Sequence, residues 1–180
     1  MGSEFSQCVH ESSKRETYMS VQTFNVEVQT PPINDHQKQL LRETWSVVKE
    51  DIAKVGVVTF MRLFDKFPDV QDLFVPFRGL SSDELKTNIK LREHGLRVMG
   101  TIEKCIARLD KPEKLETLMS DLGQKHIIFD TKIQYFDLII PQLLHALEPI
   151  LGDQWTPDVE DTWSDFLKYI TALMKQAMII

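Results

Sequence analysis

Apolar side chains recur every three or four positions along most of the chain after residue 33, which is the spacing of one face of an α-helix. A short alternating stretch, residues 21–28, has no second strand to pair with. The sequence therefore predicts an all-α fold with about seven or eight helices of unequal length. The predicted helices cover about 34–49, 56–66, 88–109, 112–126, 135–147 and 157–180, with a short helix after residue 81.

Helix boundaries are marked by residues that satisfy free backbone groups or interrupt the helix. Asn34 and Thr156 are candidate N-caps, and a capping box opens at Ser81. Pro112 suits the first position of a helix, where the missing N–H costs nothing. Pro141 falls inside a predicted helix, where proline removes a hydrogen bond and is expected to cause a kink.

Two of these helices carry a histidine within an apolar stripe. The stripes are Leu91, His94, Val98, Ile102 and Cys105 in one helix, and Leu115, Leu118, Leu122 and His126 in the other. A buried imidazole needs a partner, because an unsatisfied buried polar group costs about 1–3 kcal/mol. Two interpretations follow: each histidine bonds a backbone carbonyl, or the two hold an iron between them. Spacing alone favours the first interpretation.

Composition narrows the class of protein. The chain has 180 residues, 42% of them hydrophobic, which suits one globular domain with a core and a tail. Its net charge of −6 argues against a nucleic-acid partner. No apolar run approaches the roughly 20 residues that a membrane span needs. The two cysteines form no CxxC pair, and the N-terminus lacks an apolar signal region, so we expect a cytoplasmic protein.

Residues 1–33 are polar, lack helical periodicity and end in two prolines, so they predict a flexible N-terminal extension before a domain at 34–180. Gly2 with Ser6 fits the N-myristoylation pattern, and Cys8 could carry a second acyl chain. Such lipids would give peripheral membrane contact. The letters Gly-Ser-Glu-Phe are also what a cloning junction leaves behind, so both interpretations stand.

From Ile33 to Met178 the chain resembles the globin family, and most closely the neuroglobin, cytoglobin and globin X group. The resemblance rests on many family features in register, including 32 residues between the two histidines. Pro141 and Thr131 depart from the pattern, the second because a branched apolar residue usually contacts the haem there. The matching residues are Trp45, Phe60, Phe67-Pro68, Phe74, Phe77, His94 with Val98, Leu122-Gly-x-Lys-His126, Phe136, Trp155-Thr156-Pro157 and Trp163.

The resemblance implies a globin fold whose helices sandwich haem b, iron protoporphyrin IX. His126 would be the proximal iron ligand, with its other ring nitrogen donating to the carbonyl of Leu122. Arg97 and Lys125 are candidates to pair with the haem propionates. The full set of predicted haem-binding residues is Phe60, Phe74, Phe77, His94, Arg97, Val98, Leu122, Lys125 and Phe136.

The role of His94 decides the mechanism. It either hydrogen-bonds bound O₂ beside an open iron site, as in a five-coordinate carrier, or ligates the iron itself. The resemblance implies the second, six-coordinate state, in which O₂, CO or NO must displace His94, and this suits sensing or redox chemistry. Nitrite reduction or NO dioxygenation would need an external electron donor. A haem-free helical interaction module is the remaining alternative, against which the presence of both histidines and Phe74 argues.

Overall fold

The computed structural model describes residues 33–129 and 131–179, and these form helices without a strand. The predicted all-α class is therefore confirmed. The predicted extension at 1–33, with Gly2 and Cys8, lies almost wholly outside the described residues. The α-helices are α1 (Asp35–Val48), α2 (Ile52–Lys66), α3 (Pro68–Gln71), α4 (Ser82–Lys86), α5 (Ile89–Ile106), α6 (Pro112–Ile128), α7 (Phe136–Leu151) and α8 (Pro157–Gln176).

The helix starts follow the predicted capping chemistry. The side chain of Asn34 accepts a hydrogen bond from the backbone N–H of Gln37 at 2.9 Å, and the Gln37 side chain accepts from Asn34 in return. Ser81 and Glu84 form the same reciprocal pair at the start of α4. Thr156 accepts from a backbone N–H at the start of α8. These contacts satisfy N–H groups that have no partner within the helix.

Three predicted boundaries are wrong by about four residues. Helix α2 begins at Ile52 rather than Gly56, and α7 continues to Leu151 rather than ending near residue 147. Helix α8 ends at Gln176 rather than at residue 180. Helix α7 also continues through Pro141, where a proline lacks the N–H that would bond the carbonyl four residues earlier. Pro141 is exposed, so its ring does not disturb the apolar face of α7, whose packing against α2 and α8 holds the helix together.

The helices form two connected packing groups. Helix α2 packs against α5 and α7, while α8 packs against α6, α7 and α1. In the main core, Trp163 is fully buried and donates its indole N–H to the hydroxyl of Thr44 at 3.0 Å. Helices α5 and α6 are therefore held mainly by different partner helices, and they contact each other through side chains such as Cys105 and Met119. Among the described residues, no helix is long and apolar enough to cross a membrane.

The predicted apolar stripes of α5 and α6 are buried at Leu91, Ile102, Cys105 and Leu115. Gly95 and Gly123 are also buried, against α2 and α8, whereas His94 and His126 are only partly buried. The two histidines therefore lie at the edge of the buried face of each helix. Glycine lacks a Cβ, so each helix packs closest along its glycine side. The neighbouring histidine side is left half-covered.

Candidate functional site

His126 lies in the last turn of α6 with one ring nitrogen already engaged. Its Nδ1 lies 2.8 Å from the carbonyl oxygen of Leu122, as predicted. Because a carbonyl only accepts, Nδ1 carries the proton and Nε2 keeps its lone pair. No hydrogen bond to Nε2 is found in the described part of the chain. The ring of Phe136 lies edge-on to the imidazole, with centroids 5.1 Å apart, and this contact restricts the rotation of His126.

The imidazole of His94 lies among aromatic rings. Its centroid is 4.7 Å from that of Phe60, 5.4 Å from Phe74 and 6.5 Å from Phe77. Neither ring nitrogen forms a hydrogen bond within residues 33–129 and 131–179. Burial, with smaller contributions from the charges of Arg97 and His126, lowers the pKa of His94 to about 4. The ring is therefore neutral at neutral pH, with a free lone pair.

A phenylalanine cluster fixes the surroundings of His94. Phe60 and Phe77 are almost fully buried, and Phe74 is half-buried and stacks on Phe77 with centroids 5.7 Å apart. Phe64 is not among the predicted haem-binding residues, yet its ring lies 5.3 Å from that of Phe74 and supports it from α2. The sequence signal for this was present, since Phe60 and Phe64 are four residues apart on one helix face.

Apolar side chains continue from the phenylalanine cluster towards His126 but are incompletely covered. Val98 packs against both the main core around Trp163 and the phenylalanine cluster. Val98 and Leu122 are both partly buried. Sequence reasoning missed Leu138 and Ile139, which pack beside the phenylalanine cluster from α7. Their signal was the continuous apolar run that follows Phe136. After His126 the chain exposes three large apolar side chains in succession, Ile127, Ile128 and Phe129.

Two predicted cations lie at the edge of this region. Arg97 and Lys125 are both exposed, and neither forms an ion pair with another described residue. Arg97 is close enough to lower the pKa of His94, whereas no contact brings Lys125 to the other site residues. In the described chain, no group of three or more His, Cys, Asp or Glu side chains could hold a metal ion. The donor set is therefore two imidazoles from two helices.

A protein-family model described as Globin matches residues 58–174, about two thirds of the chain, and this range includes both histidines. The chain belongs to the globin family. The predicted resemblance and the predicted globin fold are therefore confirmed. Membership of this family supports haem binding.

Curated relatives of this globin include two of the three predicted types, cytoglobin and neuroglobin. It is 29% identical over 139 residues to cytoglobin-2 of Danio rerio, covering 76% of this chain and 77% of the relative. It is 28% identical over 145 residues to neuroglobin of Dissostichus mawsoni, covering 80% of this chain and 91% of the relative.

A solved structure with the same fold is a hexacoordinated heme protein from an anhydrobiotic tardigrade, crystallised at pH 4. The two structures align with a TM-score of 0.79 at 21% identity, covering 83% of this chain and 97% of the other. At this identity the likeness concerns the fold of this globin.

Proposed function

We propose that this globin binds haem b between α5 and α6, with His126 as the proximal and His94 as the distal ligand of a six-coordinate iron. The observation that carries the proposal is the pair of partly buried imidazoles, one on each of two helices that are held mainly by different partner helices. Each has a ring nitrogen without a partner in the described chain. Two imidazoles leave most coordination positions of an iron open, and a porphyrin supplies four more nitrogen ligands.

The fit of the surrounding residues supports a flat apolar cofactor. Phe74, Val98 and Leu122 are all partly buried. This is the burial expected of side chains that would line an unfilled gap between α5 and α6. Phe136 would keep water from His126 on the other side. Arg97 and Lys125 would pair with the propionates at the rim, where both cations are exposed.

Non-covalent binding fits the cysteine content. Covalent attachment of haem uses a C-x-x-C-H motif, and the sequence has no such motif. Cys105 is buried, with its sulfur 3.4 Å from that of Met119, and burial raises the pKa of its thiol to about 12. Haem b, held only by axial ligation and packing, is therefore the form that this chain would take.

The state of His94 supports six-coordination. A neutral imidazole with no hydrogen-bond partner in the described chain is available to ligate iron, and the phenylalanine cluster holds it in position. Haem iron supplies binding of diatomic gases and one-electron redox chemistry. External O₂, CO or NO would compete with His94, and apparent affinity would fall with the fraction of molecules in which His94 is released. We therefore propose a sensing or redox role with an external electron donor.

We assign residues 34–180 to one haem-binding domain, since the first and last long helices, α1 and α8, share one core.

The absorption spectrum of the purified protein, oxidised and then reduced with dithionite, tests the proposal of a six-coordinate haem. Sharp, split low-spin bands in the reduced protein are expected. A single broad high-spin band would instead indicate an open site and a five-coordinate carrier. No Soret band after addition of haem would leave a haem-free interaction module.

A further inference from the structure

Helix α6 packs against the backbone of α8 through a glycine, Gly123. A Cβ built on Gly123 would lie 2.2 Å from the carbonyl oxygen of Met174 and 3.2 Å from the Cβ of Ala177. Real Cβ atoms essentially never come within 3.0 Å of such an atom. Any larger residue at position 123 must therefore push the two helices apart by about 0.8 Å or more.

The position of this contact on α6 links it to the proximal histidine. Gly123 directly follows Leu122, whose carbonyl accepts the hydrogen bond of His126, and precedes His126 by three residues. At 100° per residue, Gly123 and His126 lie about 60° apart around the helix. When α6 moves away from α8, the His126 imidazole therefore moves back from the side facing α5. The distance it moves is about half of the displacement of the helix.

We infer that Gly123 is a positioning residue that sets the reach of His126 toward the haem iron. Glycine weakens a helix interior, because it loses more conformational freedom than alanine on folding. The contact with Met174 accounts for a glycine here, since no other residue lets α6 lie this close to α8. The inference rests on the proposed haem ligation and adds to it a residue that contacts neither the iron nor the histidine ring.

The chain offers a matched control and an independent second variant. Gly100 lies inside α5, and a Cβ there would meet nothing within 4 Å, so Gly100→Ala makes the same chemical change without a collision. Ala177→Val enlarges the opposite side of the contact and leaves the sequence of α6 intact. It therefore tests the same displacement if Gly123→Ala fails to fold.

The experiment is resonance Raman spectroscopy of the iron–histidine stretch in dithionite-reduced protein carrying His94→Leu, which keeps the iron five-coordinate. Gly123→Ala and Ala177→Val should both lower the stretching frequency and speed haem loss by about 10-fold, since disturbing the support of a metal ligand costs about 10–100-fold. Gly100→Ala should change neither. Unchanged frequencies in the folded Gly123→Ala and Ala177→Val proteins, or an equal shift in Gly100→Ala, would overturn the inference.

The haem-free protein supplies a second readout. Amide hydrogen exchange should speed up in the last turns of α6 in both collision variants, because α6 has lost its closest contact with α8. Exchange in α5 should stay as in the parent protein. If the parent protein itself bound no haem, the proposed function would fail, whereas the exchange result would still report on the contact. Unchanged exchange in α6 would overturn the inference on its own.

Discussion

The Nδ1 of His126 donates a hydrogen bond to the backbone carbonyl oxygen of Leu122 over 2.8 Å. This bond fixes the tautomer, so Nε2 is the nitrogen that keeps a free lone pair. The acceptor is a main-chain atom of the same helix, so the orientation of the ring is set wherever α6 is folded.

Replacing His126 with alanine should remove haem binding. Disturbing a partner of a metal ligand costs about 10–100-fold in affinity, so removal of the ligand should weaken haem binding by more than about 100-fold. Titration of the haem-free protein, followed by the Soret band, measures this. His145→Ala is the control, because that side chain is 53% exposed and lies near Glu148 rather than the site. Full haem affinity in the His126 variant would refute the proximal assignment.

Replacing His94 with leucine should open the sixth coordination position. If His94 is released in about 1–10% of molecules, the variant should bind CO about 10–100-fold faster, because no ligand has to leave first. Stopped-flow mixing of the reduced protein with CO gives the rate. The low-spin bands of the reduced spectrum should disappear at the same time. An unchanged CO rate would mean that the site was open in the parent protein.

Helix positions and caps could be predicted because they depend on local chemistry. Asn34, Ser81 and Thr156 each satisfy backbone groups within three residues of themselves, so no knowledge of the fold is needed. The end of α7 could not be predicted in this way. Its last turn, from residue 147 to Leu151, buries Leu151 in the main core, and that core is built from residues distant in sequence.

The aromatic surroundings of His94 were largely predictable, whereas the close approach of its helix to α2 was not. Phe60, Phe74 and Phe77 follow from the family resemblance, and they do surround His94. The sequence predicts that His94 lies on the buried stripe of α5, but the neighbouring Gly95 is buried more deeply, because Gly95 packs directly on Gly56 of α2. Hydrophobicity assigns glycine little weight, so a pattern of apolar side chains does not find such a contact.

Neutralising Asp110 should remove a pH-dependent contribution to stability. Lys38 and, to a smaller extent, Arg42 lower the pKa of the Asp110 carboxyl, and these contacts join the loop after α5 to α1. A lowered pKa in the folded state stabilises the protein above the unfolded value of about 3.9, and the stabilisation is lost as pH falls through the folded value.

Asp110→Asn should therefore lower the thermal midpoint at pH 7 by a constant small amount, and the difference should shrink below about pH 4. Thermal unfolding followed by circular dichroism across pH 2.5–7 checks this. Salt at ~0.5 M should reduce the difference, because Arg42 and Asp110 are exposed and Lys38 is partly exposed. Asp153→Asn is the control, since Asp153 is exposed and has no ion pair among the described residues. A difference that grew at low pH would contradict the sign of the shift.

Replacing Gly56 with alanine should destabilise the protein, whereas the same change at Gly100 should not. A Cβ on Gly56 would lie 2.8 Å from the backbone of Gly95, and neither backbone can give way without separating α2 from α5. Overpacking of this kind costs about 1–3 kcal/mol. Gly100→Ala meets nothing within 4 Å and should stabilise α5 by about 0.5–1 kcal/mol. Urea unfolding of the haem-free proteins should give opposite shifts of midpoint at an unchanged m-value. Equal shifts in the two variants would mean that helix propensity, rather than the contact between α2 and α5, explains the glycine beside His94.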